Sequence, residues 1–179
     1  MWYVLVFGLI GLIVFIVVGE SGRQKRREQE ETAIAELEKN GFVKTKESNG
    51  LVIDQPNKRW CVVSGDSDET PYVHNFSDIV DVKVVEDGVE YKSNGGLLRA
   101  VVGGAAFGAL GAAVGASTGK NKKSIQGIYV LVTTKDFNCP TEKIHITGPV
   151  SDTTSSYYRL CVEATEEVVG LLAAIQANA

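Results

Sequence analysis

The chain has 179 residues, a formal net charge of -4 and a pI near 5.3. That is room for one ordinary domain with appendages, and it excludes a global basic field that would draw nucleic acid. Its three cysteines, Cys61, Cys139 and Cys161, are an odd number without paired spacing, which argues against a disulfide framework and suits a reducing compartment.

The run from Trp2 to Val18 is unbroken apolar sequence. As a helix it spans roughly 25 Å, within the range of a bilayer core, with Trp2 and Tyr3 placed for an interfacial belt. A secretory leader needs basic residues before its apolar core and a small-residue cleavage motif after it, and neither is present. The expectation is an uncleaved, single-pass anchor in the cell membrane. Arg23, Lys25, Arg26 and Arg27 follow the span and nothing basic precedes it, which puts the amino terminus outside and the bulk of the chain in the cytoplasm. The same four residues suit contact with anionic head groups.

Residues 24–39 are rich in helix formers, with Arg26 and Arg27 one turn ahead of Glu30 and Glu31. Ala33, Ile34 and Leu37 make a narrow apolar stripe, and Gly41 provides a left-handed helix stop. Beyond Phe42 the pattern becomes β. Leu51–Asp54 and Arg59–Val63 flank a Gln-Pro-Asn-Lys turn, and Tyr72–Phe76 reads as a further strand. Ile79–Val85 alternates, with Val80, Val82 and Val84 expected on one face. An Asp-Gly turn then leads into Glu90–Lys92.

The stretch from Gly95 to Gly119 is almost wholly Gly, Ala and a few large apolar residues, with one charge, Arg99. Ala100, Gly104, Gly108, Ala112 and Ala116 form one row at four-residue spacing, and Gly111, Gly115 and Gly119 a second. On a helix each row is a groove that lets another backbone come close, the glycine-zipper pattern. Basic residues at both ends, Arg99 and Lys120, Lys122 and Lys123, keep both ends on one side, so the expectation is a hairpin of two short helices turning near Phe107 to Leu110. Gly104, Gly108, Gly111, Gly115 and Gly119, with Phe107 and Leu110, are the candidate surface for membrane contact and self-association.

After this insertion Ser124–Thr134 and Lys143–Thr147 read as strands joined by a turn at Lys135–Pro140. Ser155–Ala177 reads as an amphipathic helix capped by Asp152 or Thr154. Its buried face is expected to carry Tyr157, Leu160, Cys161, Ala164, Val168, Leu171, Leu172 and Ile175.

That order of strands, insertion, strands and closing helix resembles pleckstrin-homology-like domains, including the bacterial and GRAM-type versions. The chain also resembles a family of Gram-positive bacterial and prophage membrane proteins. The likeness lies in Ile53, Asp54, Lys58 and Trp60 of the first hairpin, in Phe76–Ile79, in Val85–Gly88, and in the glycine run ending at Thr118-Gly119-Lys120. It implies a pleckstrin-homology-like fold and membrane association, and supplies no catalytic residues to carry over.

Chemistry is hard to find in chain spacing. Gly115–Asn121 falls short of a phosphate loop, with three residues between its glycines and Asn121 after Lys120. His74 and His145 stand at no metal-ligand spacing from a cysteine or from each other, so they read as polar strand positions. Cys61 and Cys161 read as small core residues, and Asp66, Asp68 and Glu69 as a solvated loop. No catalytic residue, metal or cofactor is expected.

The fold class is therefore α+β. A transmembrane anchor over 1–19 and a juxtamembrane helix over 20–40 precede an antiparallel half-barrel over 41–179. The hairpin is inserted at 95–120 and a C-terminal helix closes the barrel. The expected role is a non-catalytic binding or scaffold protein at the cytoplasmic face of the membrane, with membrane lipids, a further protein and its own copies as partners. The alternative is a membrane-active effector whose hairpins assemble and perturb the bilayer.

Overall fold

The computed structural model describes residues 24–64, 70–86, 89–92 (backbone only) and 124–179. The apolar run 2–18, Arg23, the acidic loop around Asp66 and the glycine run 95–119 lie outside the described residues. Among those described, no helix is long and apolar enough to cross a membrane. The chain divides into two units, Met1–Gly41 with Val63–Pro71 and Phe42–Val62 with Tyr72–Ala179.

In the first unit, helix α1 covers 24–39. Lys25, Arg26 and Arg27 are exposed on its first turn, and Ile34 and Leu37 are its buried residues. Gly41 ends it with φ at +82°, its N–H donating to the Glu38 carbonyl at 3.0 Å, as a left-handed C-terminal stop requires.

The second unit holds two antiparallel four-stranded sheets and a helix. Strands β1 (Lys46–Ser48), β2 (Leu51–Asp54), β3 (Arg59–Val62) and β4 (His74–Asn75) form the first sheet in that order. Strand β1 is an addition to the sequence reading. Asn49 and Gly50, at φ +50° and +79°, make the two-residue turn that sets Ser48 opposite Leu51. The strand expected over Tyr72–Phe76 shrinks to two residues, because Phe76–Asp78 turns into a 3-10 helix. The Asn75 N–H donates to Asp78 Oδ2 at 2.7 Å and fixes that turn.

The second sheet contains β5 (Ile79–Glu86), β6 (Val89–Lys92), β7 (Ile128–Thr134) and β8 (Thr141–Thr147), ordered β6-β5-β7-β8. A bulge between Ile79 and Asp81 corrects the expected face of β5. Val80 is 60% exposed, while Ile79 joins Val82 and Val84 in the core. One extra residue moves every side chain on one side of it to the opposite face. The strand expected from Ser124 starts only at Ile128. Ile125 instead makes an isolated bridge to Val150. Gly127 passes so close to β8 that a Cβ there would meet the Thr147 carbonyl oxygen at 2.7 Å, which only glycine permits.

Helix α2 (Ser156–Ala177) packs on β5, β7, β8, β1 and the 3-10 turn. Its cap is Ser155, whose Oγ accepts from the Tyr158 N–H at 3.1 Å. Asp152 bonds the Thr154 N–H instead, at 2.8 Å, one step before the helix. The buried face is also turned from the expected one. Tyr157 and Leu160 are exposed, Ala164 and Leu171 are half-buried, and Tyr158, Thr165, Val169 and Ala173 take the inner positions beside Cys161, Val168, Leu172 and Ile175. The core joins these residues to Leu51, Ile53 and Trp60 of the first sheet and Val82, Val84, Val130, Val132 and Ile144 of the second. Burial of each large side chain there contributes about 1.5–3 kcal/mol. Within it, the Tyr158 hydroxyl donates to the buried Glu86 carboxylate at 2.9 Å, so α2 is keyed to β5 by a directed bond as well as by area.

The strand order bears on the insertion. Both β6 and β7 pair with β5, Lys92 opposite Lys83 and Ile128 opposite Glu86, so the segment 93–127 leaves and rejoins the same sheet.

Candidate functional site

Two places in the second unit combine shape with polar groups. The first is a groove of about 510 Å³. Ile53, Phe76, Leu171 and Ile175 supply apolar lining, and Thr45, Gln55, Asn178, Lys46 and Lys58 supply polar groups. Its wall is held by the β1–β2 ladder, where Thr45 donates to the Ile53 carbonyl from both its N–H, at 2.8 Å, and its hydroxyl, at 2.9 Å. Lys58 stands at φ +50°, a left-handed position that costs a lysine about 1–2 kcal/mol against glycine. The turn is kept in that shape by Asp54 beneath it. That buried carboxylate accepts from the Asn57 N–H at 3.1 Å and from Arg59 Nη2 at 2.7 Å. Burial alone would raise the Asp54 pKa. The bonds from the Asn57 side chain, the Val43 N–H and Arg59 outweigh it and hold the carboxyl below its usual value. Lys46 is shared with the exposed Glu167 of α2 at 3.2 Å.

The second place lies between β4 and the β7–β8 hairpin. His74 is buried and stacked on Trp60, ring centroids 4.6 Å apart, with the Tyr72 ring tilted against the same imidazole at 4.9 Å. Its Nε2 lies 3.1 Å from Glu142 Oε1, and the Cys139 thiol donates to that same oxygen at 3.3 Å. Ligand-type atoms of His74, Cys139 and Glu142 all lie within 4.8 Å of one another. His74 Nδ1 is buried with no hydrogen-bond partner among the described residues. Burial, the bond to Glu142 and that residue's charge push the Cys139 thiol up to about 11. Burial pushes Cys61 up to about 12, with the Glu142 charge adding to it. Neither thiol is poised as a nucleophile. Nearby, the Tyr72 hydroxyl donates to Asp136 Oδ2 at 2.7 Å, which raises the Tyr72 pKa and lowers that of Asp136.

The sequence-predicted surface falls elsewhere. Gly104, Gly108, Gly111, Gly115, Gly119, Phe107, Leu110 and Arg23 lie outside the described residues, and Lys25, Arg26 and Arg27 are exposed on α1. Cys61 and Cys161 are buried, as expected, and His145 is an exposed strand residue. His74 is the correction. Chain spacing made it a polar strand position, whereas the fold buries it and brings it to Cys139 and Glu142, more than sixty residues away. No local motif announces that meeting, because it is made where an edge strand of one sheet meets a hairpin of the other.

The second unit thus holds two four-stranded antiparallel sheets and a C-terminal helix, with a Gly/Ala-rich stretch of sequence between β6 and β7. Residues 39–148, more than half of the chain, match the family model described as glycine zipper containing PH domain. No curated protein and no solved structure matches the chain. The chain belongs to the family of glycine-zipper-containing PH domains.

Proposed function

We propose that this protein is a non-catalytic binding or scaffold module held at the cytoplasmic face of the cell membrane. In this reading the apolar run 2–18 anchors it, Arg23, Lys25, Arg26 and Arg27 fix its orientation against anionic head groups, and the glycine insertion makes a second contact with the bilayer or with like copies. Families with PH-like domains are typically non-catalytic. The groove beside α2, with apolar lining and two lysines, suits an amphiphile with an anionic head or an acidic segment of a partner protein.

The observation that carries the reading is the pairing of β6 and β7 with the same strand, β5. Strands on either side of a common neighbour lie about 10 Å apart, whereas a hydrocarbon core is about 30 Å thick. An insertion that passed straight through a bilayer would separate the two strands by far more than the sheet allows. Ser93→Cys and Ser124→Cys, each introduced into a chain whose Cys139 is replaced by serine, test this in intact cells. Neither site is expected to react with a membrane-impermeant maleimide until the membrane is opened. Labelling of either one from outside would overturn the assignment.

A further inference from the structure

We propose that His74, Cys139 and Glu142 form a binding site for a zinc-class divalent metal ion, which pins strand β4 of the first sheet to the β7–β8 hairpin of the second. The donor set is an imidazole, a thiol and a carboxylate, the combination that borderline-soft ions such as zinc take and that magnesium and calcium do not. Spacing agrees with this chemistry. Glu142 Oε1 stands 3.1 Å from His74 Nε2 and 3.3 Å from Cys139 Sγ. Neighbouring ligands on a tetrahedral ion with bonds of about 2.0–2.3 Å sit roughly 3.3–3.6 Å apart, close to both of these spacings, and the third pair, His74 and Cys139, lies within 4.8 Å.

Each ligand is already oriented by the fold. His74 is clamped by its stack on Trp60, whose indole N–H is itself fixed to the Asn75 carbonyl at 3.1 Å. Cys139 sits in a turn closed by the Thr134 hydroxyl on the Cys139 carbonyl at 2.6 Å and the Thr134 N–H on the Pro140 carbonyl at 2.9 Å. Glu142 is set by the ladder, opposite Val132. Preorganisation of this kind is what a binding constellation needs.

The three side chains converge on one point, with Glu142 Oε1 in reach of both His74 Nε2 and Cys139 Sγ, so a single ion could meet all three. The site also lies where backbone pairing stops. Strand β4 is the last of its sheet and β8 the last of the other, so a metal there would join two edges that no backbone ladder joins. Three protein ligands leave a fourth position for water.

The test uses the full chain in neutral detergent, purified without a histidine tag. Cobalt(II) is titrated as the spectroscopic probe, and zinc chloride is added in a thermal melt. A thiolate-to-cobalt charge-transfer band saturating at one metal per chain is expected, together with a rise in melting temperature on zinc addition. Cys139→Ser should abolish the band, and Glu142→Gln should weaken binding by at least about tenfold, with far-ultraviolet circular dichroism unchanged in both. The site is refuted if the folded wild-type chain gives neither band nor zinc-dependent rise. It is equally refuted if the band persists in Cys139→Ser, or if Glu142→Gln binds as the wild type does.

Discussion

At the scale of single residues, Asp54 does more for this fold than its position in a hairpin suggests. It is fully buried, yet ionised, because Asn57, Arg59 and the Val43 N–H replace the water it loses. Asp54→Asn keeps the shape and removes the charge, and is expected to cost about 2–3 kcal/mol, read as a lower midpoint in urea unfolding. The folded value lies below the unfolded one of about 3.9, so the stabilising contribution is complete above that pH and drains away as pH falls through the folded value. Wild-type stability should therefore drop more steeply than that of Asp54→Asn as the solution is taken below pH 4. Parallel curves would remove this account of the residue.

At the scale of elements, the cap of α2 provides a sharp check. Ser155→Ala removes the acceptor for the Tyr158 N–H and should cost about 1 kcal/mol in thermal or urea unfolding, with the fold retained. The sequence pointed one to three residues too early, because Asp152, Thr154 and Ser155 are all competent caps and only the chain path selects among them. The same slip turned the helix face. Tyr157 and Tyr158 are adjacent and chemically alike, and a rotation by one residue exchanges which is buried. Strands β2, β3, β5 and β8 were readable from alternation and turn chemistry. Strand β1 has a sequence mark too, since Asn49-Gly50 is a strong hairpin signal. The β5 bulge had no sequence mark, and Val80 looks as apolar as the valines that are buried. His74, Cys139 and Glu142 were illegible for a deeper reason. Their proximity is a product of the whole topology, and each taken alone is an ordinary strand or turn residue.

At the scale of the molecule, the zipper reading belongs to association rather than to folding. Gly108→Leu and Gly111→Leu place bulk in the two small-residue rows and should change the oligomeric state in detergent and the partitioning into membranes. The melting of the sheets should be unchanged. If both variants matched the wild type in oligomeric state and in partitioning, the small-residue rows would have no role in contact. The arrangement of β6, β5 and β7 adds a constraint of its own. Strands β6 and β7 run parallel to each other with β5 between them, so some crossover is unavoidable, and about a dozen residues suffice for one. The segment from 93 to 127 is much longer than that. Its surplus is glycine and alanine, the residues least able to build a core of their own, and loop-closure entropy rises only slowly with such added length. Closure of the sheet thus demands only a crossover between β6 and β7, and leaves the length and composition of the insertion to be set by something other than the fold.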